Sequence, residues 1–175
     1  MHTLPTTGHW NVDTTATTAS FEVSNFVVNR VPGTITVHSG SVRTDERGLP
    51  TEVSAVLDAG SIATGNARRD KDLRAPKFFD VAKHPDLRFS GTSVTPAGDG
   101  GWTVDGTLSV GTHQSPMRLE VELRRSSRPD TVQVVATGSI DRAAVGIKAP
   151  SFVIGRQVQV SIEAVLTPAP ARVDV

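Results

Sequence analysis

Apolar and polar residues alternate along most of this chain, which is the period-two pattern of β-strands with one buried face. The clearest run is 102–110, in which Val104, Leu108 and Val110 share one face with Gly106. Similar runs cover 10–13, 20–28, 34–43, 52–58, 87–95, 117–125, 131–141 and a last stretch through Val160. Turn-forming residues punctuate them at 32–33, 45–48, 96–101, 111–115 and 128–130. The pattern predicts several antiparallel strands joined by short turns.

One stretch, residues 64–76, breaks this pattern and predicts a helix. Asn66 suits the N-cap position, and Pro76 ends the run of helix-forming residues. Asp70 and Arg74 stand four residues apart, the spacing at which two charged side chains pair on one helix face. The stretch has too few apolar residues to bury a broad face against a core. We therefore expect a polar helix inserted once between strands.

Phe78 and Phe79 follow the predicted helix directly. An aromatic pair behind a polar helix predicts a lid, in which one ring packs on the domain and the other covers the mouth of a hollow interior. The alternative is that both rings are ordinary core residues.

The predicted fold class is all-β, an antiparallel barrel of about eight strands with one helix inserted near residues 64–76. A barrel turns the apolar faces of its strands into an interior, although a β-sandwich would produce the same alternation. The length of 175 residues suits one domain. We expect that domain at 9–167, with flexible tails at 1–8 and 168–175.

Composition supports β structure and excludes several functions. The chain has 24 Val and 20 Thr against 9 Leu, and β-branched side chains favour sheets. Eighteen basic and eighteen acidic residues cancel, so we expect no nucleic-acid partner. The absence of cysteine excludes disulfides and thiolate chemistry. The start of the chain lacks a signal-peptide pattern and no run reaches the ~18 apolar residues of a membrane span, so we expect a cytoplasmic protein.

Several short motifs resemble those of the YceI-like family, whose members are lipocalin-like and described as polyisoprenoid-binding. The matching pieces are Arg69-Asp70, Leu73-Arg74, Phe79-Asp80-Val81, His84-Pro85 and Arg88-Phe89, and the resemblance extends over about residues 10–166. Asn25 and Lys71 depart from the pattern, because the family usually has His at both positions. The resemblance implies an extended lipocalin-like barrel, a long isoprenoid ligand such as a quinone tail or a polyprenyl diphosphate, and a homodimer.

The inward positions have two interpretations. They form either a packed core with glycines at bends or a tube whose small residues leave room for an apolar ligand. The residue types alone do not decide between them, and the resemblance favours the tube. The predicted ligand-binding residues are Phe21, Val23, Ile35, Val37, Leu57, Leu73, Phe78, Phe79, Phe89, Val104, Leu108, Met117, Leu119, Val121, Val132, Val134 and Val160.

Arg69 and Arg74 are the candidates for a ligand's head group, which either could bind through charge-assisted hydrogen bonds. The alternative is that the charged residues of this stretch form a solvated helix face. Arg142 also matches the family, and we expect a structural role for it, paired with Asp141 or Asp70.

We expect neither a cofactor nor a catalytic residue. The five histidines lack the spacing of a zinc motif, although a metal site assembled from distant strands stays open. A nucleophile elbow, a phosphate loop and a dinucleotide fingerprint are all missing from the sequence. The expected function is therefore a lipid carrier. The alternatives are a barrel enzyme on a small apolar substrate, with Asp70 or His84 as base, and a structural or stress protein without a ligand.

Overall fold

In a computed structural model, the chain is described at Leu4 and at residues 8–25, 30–98, 100–147 and 154–169. Nine strands and one helix form over these residues, and side chains are described for all of them except 24, 25 and 154–156. The elements are β1 (His9–Val12), β2 (Thr18–Asn25), β3 (Arg30–Thr44), β4 (Pro50–Ala63), α1 (Ala67–Arg74), β5 (Asp86–Pro96), β6 (Trp102–Val110), β7 (His113–Arg124), β8 (Val132–Asp141) and β9 (Ile154–Pro168).

The predicted barrel is confirmed. Strands β2 to β9 each pair antiparallel with the next strand along the chain, and β9 pairs with β2 to close the circuit. Strand β1 lies outside this eight-strand circuit and pairs with β3 and β9, so that Trp10 stands opposite both Val42 and Pro168. Closure leaves no free edge among the eight strands, and the alternating faces become an inside and an outside.

The register explains why the apolar residues of the alternating pattern all face the interior of the barrel. Val104 on β6 stands opposite Leu119 on β7, which stands opposite Gly138 on β8. Gly138 in turn stands opposite Val160 on β9, whose other partner is Phe21 on β2. Residues that stand directly opposite one another in a sheet project from the same face. The apolar residues of five neighbouring strands therefore meet in one interior.

One predicted turn is wrong, and another is shorter than predicted. Pro32 and Gly33 lie within β3, where Gly33 pairs with Phe21 and where a Cβ on Gly33 would come within 2.1 Å of the tip of the Phe21 ring. That glycine makes room for an aromatic ring rather than for a turn. The turn predicted at 111–115 is also shorter, because β7 begins at His113. Residues 26–28 of the run predicted at 20–28 lie outside the described residues.

One end of the barrel is filled by large side chains, and we call it the closed end. Trp10 and Trp102 are 1% and 4% exposed and pack in one cluster with Leu4, Val132 and Leu166. Leu4 also donates its backbone N–H to the carbonyl of Gly48 at 2.8 Å. Leu4 therefore departs from the flexible tail predicted for residues 1–8. The helix α1 lies at the opposite end, after the last residue of β4, and we call this the helix end.

Candidate functional site

The barrel encloses a cavity of about 690 Å³, which lies within the range of roughly 300–1,000 Å³ that is typical of ligand pockets. Its walls are mostly aliphatic and aromatic side chains from β2 to β9, and it reaches Trp102 towards the closed end. The lining residues that are exposed to solvent are Asn66, Arg68 and Asp72, which all belong to α1 or its cap. The cavity therefore opens to solvent beside α1, and we call this opening the mouth.

The helix at the mouth begins where the sequence predicts. The side chain of Asn66 caps α1 by accepting a hydrogen bond from the backbone N–H of Arg69 at 3.0 Å. Ala75 follows as the C-cap in an extended conformation, and Pro76 prevents continuation. Only Asp70 is buried in this helix, which confirms that it has no broad apolar face. α1 is also the single helix found over the described residues.

A small polar network joins the first turn of α1 to the end of β4. Asp70 accepts hydrogen bonds from the backbone N–H of Thr64, at 2.9 Å, and from its hydroxyl. Arg69 donates its Nε to the Thr64 hydroxyl oxygen at 2.8 Å and one terminal nitrogen to the Thr64 carbonyl at 2.9 Å. Thr64 thus links a buried carboxylate to a guanidinium and fixes the helix beside the mouth.

Arg74 does not pair with Asp70 and does not line the cavity. Its guanidinium donates to the carbonyls of Gly60 and Ile62 on β4, at 3.0 and 3.2 Å. The predicted ion pair fails because Asp70 is directed towards Thr64 while Arg74 reaches back over the strand. Arg74 therefore fastens the end of α1 to the barrel, and of the two arginines predicted to hold a head group only Arg69 lines the cavity.

Phe78 and Phe79 both lie at the cavity wall and are both half-buried. The backbone around them folds tightly, because Phe79 donates its N–H to the carbonyl of Leu73 and Phe78 donates to that of Ala75, each at 2.9 Å. Both rings pack against the main core cluster, which includes Val145. The structure thus brings the aromatic pair to the cavity, and its action as a lid stays a prediction.

Fifteen of the seventeen residues predicted to bind a ligand lie at the cavity wall. Val37 and Val132 are the two that do not. Val37 packs with Ala19 and Leu57 in a cluster of its own, and Val132 belongs to the cluster at the closed end. Both point inward as the alternation predicts, but neighbouring side chains fill the space in front of them. Whether the fifteen touch a ligand stays a prediction.

The segment after β8 contributes lining residues that sequence reasoning missed. Arg142, Val145 and Ile147 are 5%, 5% and 9% exposed and all line the cavity. Arg142 donates a terminal nitrogen to the carbonyl of Ile147 at 3.0 Å, which folds the segment back on itself. The segment has no strand alternation. Its one sequence signal is the group of apolar residues that follows Arg142, the arginine that matches the family.

The inward glycines make room for neighbouring side chains rather than for a ligand. A Cβ on Gly91 would come within 2.5 Å of Val104, and one on Gly106 within 2.7 Å of the Phe89 ring. A Cβ on Gly138 would meet the carbonyl of Arg118 at 2.6 Å. The cavity exists because the aliphatic residues leave it open, so the proposed link between small residues and ligand space is wrong at these positions.

The residues of the enzyme alternative lie away from the cavity wall. Asp70 is bonded to Thr64, and His84 borders a separate, smaller groove with Asp86 and Arg88. The His84 ring packs against Gly111, where a Cβ would approach it to 3.3 Å. The cavity itself therefore receives no side chain from the acid–base couple that the sequence suggested.

Comparison with known proteins agrees with this geometry. A family model described as the YceI-like domain matches residues 10–166. The chain belongs to the YceI-like family. A UPF0312 protein of Vibrio campbellii (strain ATCC BAA-1116) is 31% identical over 114 residues, covering 63% of this chain and 60% of the relative. This YceI-like chain thus spans less than two thirds of that relative's length.

Solved structures share the YceI-like barrel. BcnA of Burkholderia cenocepacia matches with a TM-score of 0.75 at 17% identity, over 88% of this chain and 98% of BcnA. A domain from Saccharophagus degradans, described as a polyisoprenoid binding domain implicated in plant cell wall breakdown, matches with a TM-score of 0.70 at 19% identity, over 91% of this chain and 98% of that domain. At these identities the likeness establishes the fold, while the family model confirms the resemblance seen in the motifs.

The described part of this YceI-like chain lacks two further features. None of its helices has the length and apolar character needed to cross a membrane. Within the same residues, three or more His, Asp or Glu side chains do not gather anywhere in a group that could hold a metal ion.

Proposed function

We propose that this YceI-like protein binds the chain of a long isoprenoid lipid in its barrel and acts as a carrier without chemistry of its own. The observation that carries the proposal is the cavity of about 690 Å³, which is lined by apolar side chains, filled in at one end and open beside α1 at the other. The polyisoprenoid-binding description of the Saccharophagus degradans domain, which has the same fold, supports it.

The driving force of such binding is burial of hydrocarbon. Each enclosed CH₂ contributes roughly 0.8 kcal/mol, so an isoprene unit of five carbons contributes roughly 4 kcal/mol. A few units therefore exceed the cost of association, which is roughly 4–15 kcal/mol. A long apolar tail needs no specific polar partner to be held.

A polar head group would lie at the mouth, where the charged lining residues of α1 stand. Arg68 is exposed there, and Arg69 still has donors besides the two that it gives to Thr64. Arg68 and Arg69 are thus the proposed head-group residues. Arg74 is left out of the proposal because, unlike Arg69, it does not line the cavity. A homodimer and a cytoplasmic location stay predictions.

The test is organic extraction of the purified protein followed by mass spectrometry, on wild type and on Leu119→Arg. Leu119 is 6% exposed and lines the cavity, and an unpaired charge in an apolar interior is expensive. We expect the variant to lose its lipid. Gln114→Arg is the matched control, because it adds the same charge to an exposed position of the same strand. A folded Leu119→Arg protein that still carries as much lipid as the control would contradict the proposal.

A further inference from the structure

The segment that borders the mouth carries a positive net charge in a chain whose charges cancel overall. Residues 66–85 contain six Lys or Arg and three Asp, whereas the whole chain has a formal net charge of zero. The excess of three positive charges is concentrated on α1 and the loop that follows it. Such an excess of positive charge can attract an external partner only if the charged side chains are exposed to solvent.

Three of these cations form an exposed group that we call the basic rim: Arg68, Lys71 and Lys77. Arg68 itself lines the mouth, while Lys71 and Lys77 stand directly beside the lining residues Asp72 and Phe78 in the chain. The basic rim therefore follows the outer border of the opening.

Within the part of the chain that the structure describes, the three cations of the basic rim have no carboxylate partner, a property that they share with the exposed Arg47 and Arg125 but not with most exposed arginines of the barrel. Over the described residues, every ion pair involves an arginine elsewhere on the barrel, and none involves the rim. The paired arginines are Arg30, Arg43, Arg88, Arg118, Arg124 and Arg128. Most exposed arginines of the barrel thus have a carboxylate within reach, whereas the charges of the rim are not neutralised in this way.

The acidic residues of the segment do little to cancel the rim. Asp70 is turned inward and is 8% exposed, with Thr64 as its hydrogen-bond partner. Asp80 is half-buried in the loop, so Asp72 is the one exposed carboxylate among the three. The outer surface around the mouth consequently presents more positive than negative charge.

We propose that the basic rim docks the mouth of the cavity onto an anionic lipid bilayer. The inference rests on the proposed function, since a protein that carries a water-insoluble chain must collect and deliver it at a membrane. Clustered Lys and Arg attract anionic lipid surfaces, and the attraction acts over about one Debye length, roughly 8–10 Å. A docked rim brings the opening against the bilayer, so that the chain passes from one apolar phase to the other with little exposure to water.

The test is co-sedimentation of the purified protein with vesicles of phosphatidylcholine containing phosphatidylglycerol, compared with vesicles of phosphatidylcholine alone. We expect wild type to sediment with the anionic vesicles at low salt, to be released by added salt, and to ignore the neutral vesicles. Lys71→Gln/Lys77→Gln should weaken the partition by about fivefold for each lost charge. Neither residue lines the cavity, so lipid loading should be unchanged.

The matched control is Arg47→Gln/Arg125→Gln, which removes two exposed, unpaired charges at the closed end. Docking through the rim predicts wild-type sedimentation for this variant. Equal losses in the two double variants would overturn the proposal, because the attraction would then come from overall charge. Absence of sedimentation in wild type would also overturn it, as would binding of poly-glutamate in preference to vesicles, which would indicate an acidic protein partner.

Mass spectrometry of extracted lipid on the same preparations separates this proposal from the proposed function. Lipid-loaded protein that ignores anionic vesicles overturns docking alone. Protein that sediments with anionic vesicles and yields no lipid overturns the carrier function on which docking rests.

Discussion

Ala136 offers a direct test of whether the interior is a cavity or a packed core. Its side chain is 9% exposed, lines the cavity and lies on β8 between Val121 and Ile162, which line it too. Ala136→Leu adds three carbons that project into the cavity. Ala19→Leu is the matched control, because Ala19 is 2% exposed, packs with Val37 and Leu57, and does not itself line the cavity.

The two variants should differ in both stability and binding. Overpacking costs typically about 1–3 kcal/mol, so Ala19→Leu should lower the free energy of unfolding by that amount, while Ala136→Leu should change it by less than about 1 kcal/mol. In the cavity, three added carbons take the place of about three ligand CH₂ groups. At roughly 0.8 kcal/mol each, the loss is about 2.4 kcal/mol, or about 50-fold in affinity.

Urea unfolding of the lipid-free proteins measures the first quantity. Titration with geranylgeraniol measures the second, with the fluorescence of Trp102 as the signal, because Trp102 lines the cavity. If Ala136→Leu lowers the free energy of unfolding by about 1–3 kcal/mol, as much as Ala19→Leu does, the interior is already packed. Unchanged affinity in Ala136→Leu would mean that the chain binds elsewhere. Either result refutes the reasoning from the cavity.

Three further predictions follow from contacts away from Ala136. Phe79→Ala should speed release of bound lipid while lowering the free energy of unfolding by less than about 3 kcal/mol, since the ring is half-buried; unchanged release with a larger loss would make Phe79 a core residue. Gly106→Ala should cost about 1–3 kcal/mol, because its Cβ would meet the Ser90 carbonyl at 2.4 Å, whereas Gly98→Ala, in open space, should be neutral in the same urea titration. The Arg128 guanidinium, 2.6 Å from the Asp13 carboxylate, holds the pKa of Asp13 at about 2 against its ordinary 3.8. A lowered pKa adds stability above about pH 4 that is lost as pH falls towards 2, so the stability advantage of wild type over Arg128→Gln should shrink over that interval, and an advantage independent of pH would contradict the pairing.

The strands and the helix could be predicted because both have a strong local signal. Period-two alternation places β6 at 102–110, which are the bounds that the structure has. Asn66 and Pro76 mark the helix in the same way, since a cap and a proline act on the residues next to them. Alternation did not decide between a barrel and a sandwich, so the prediction of closure depended on the family resemblance; in the structure β2 to β8 each pair with the next strand and β9 pairs with β2.

Occupancy of the interior could not be predicted in the same way. Alternation says which side chains point inward, but it does not say whether another side chain already fills the space in front of them. Val132 points inward and meets the cluster around Trp10, while Val134, two residues further along β8, reaches the cavity. Gly33 was misread for the same reason, because the ring that covers it belongs to another strand.

The partners of the arginines were equally hidden, because a helix pattern describes neighbours within the helix alone. Arg74 reaches carbonyls 12 and 14 residues earlier in the chain, and Arg69 reaches a threonine that precedes the helix. Such bonds depend on how the end of β4 passes under α1. The sequence therefore predicts cations at the mouth. The structure distinguishes Arg74, which fastens the helix, from Arg68 and Arg69, which line the opening.

The two ends of the cavity differ in chemistry, and that difference sets how a ligand with one polar end would lie. The charged lining residues Arg68, Arg69, Asp72 and Arg142 all stand at the helix end, whereas Trp102 stands towards the closed end. Hydroxyls do occur deeper in the wall, at Ser41 and Ser54, but these two bond each other at 2.9 Å. A head group pushed towards Trp102 would lose its hydrogen bonds to water without replacement, which is costly. A tail-first ligand meets apolar walls along its length and keeps its head beside α1, where the basic rim would meet a bilayer.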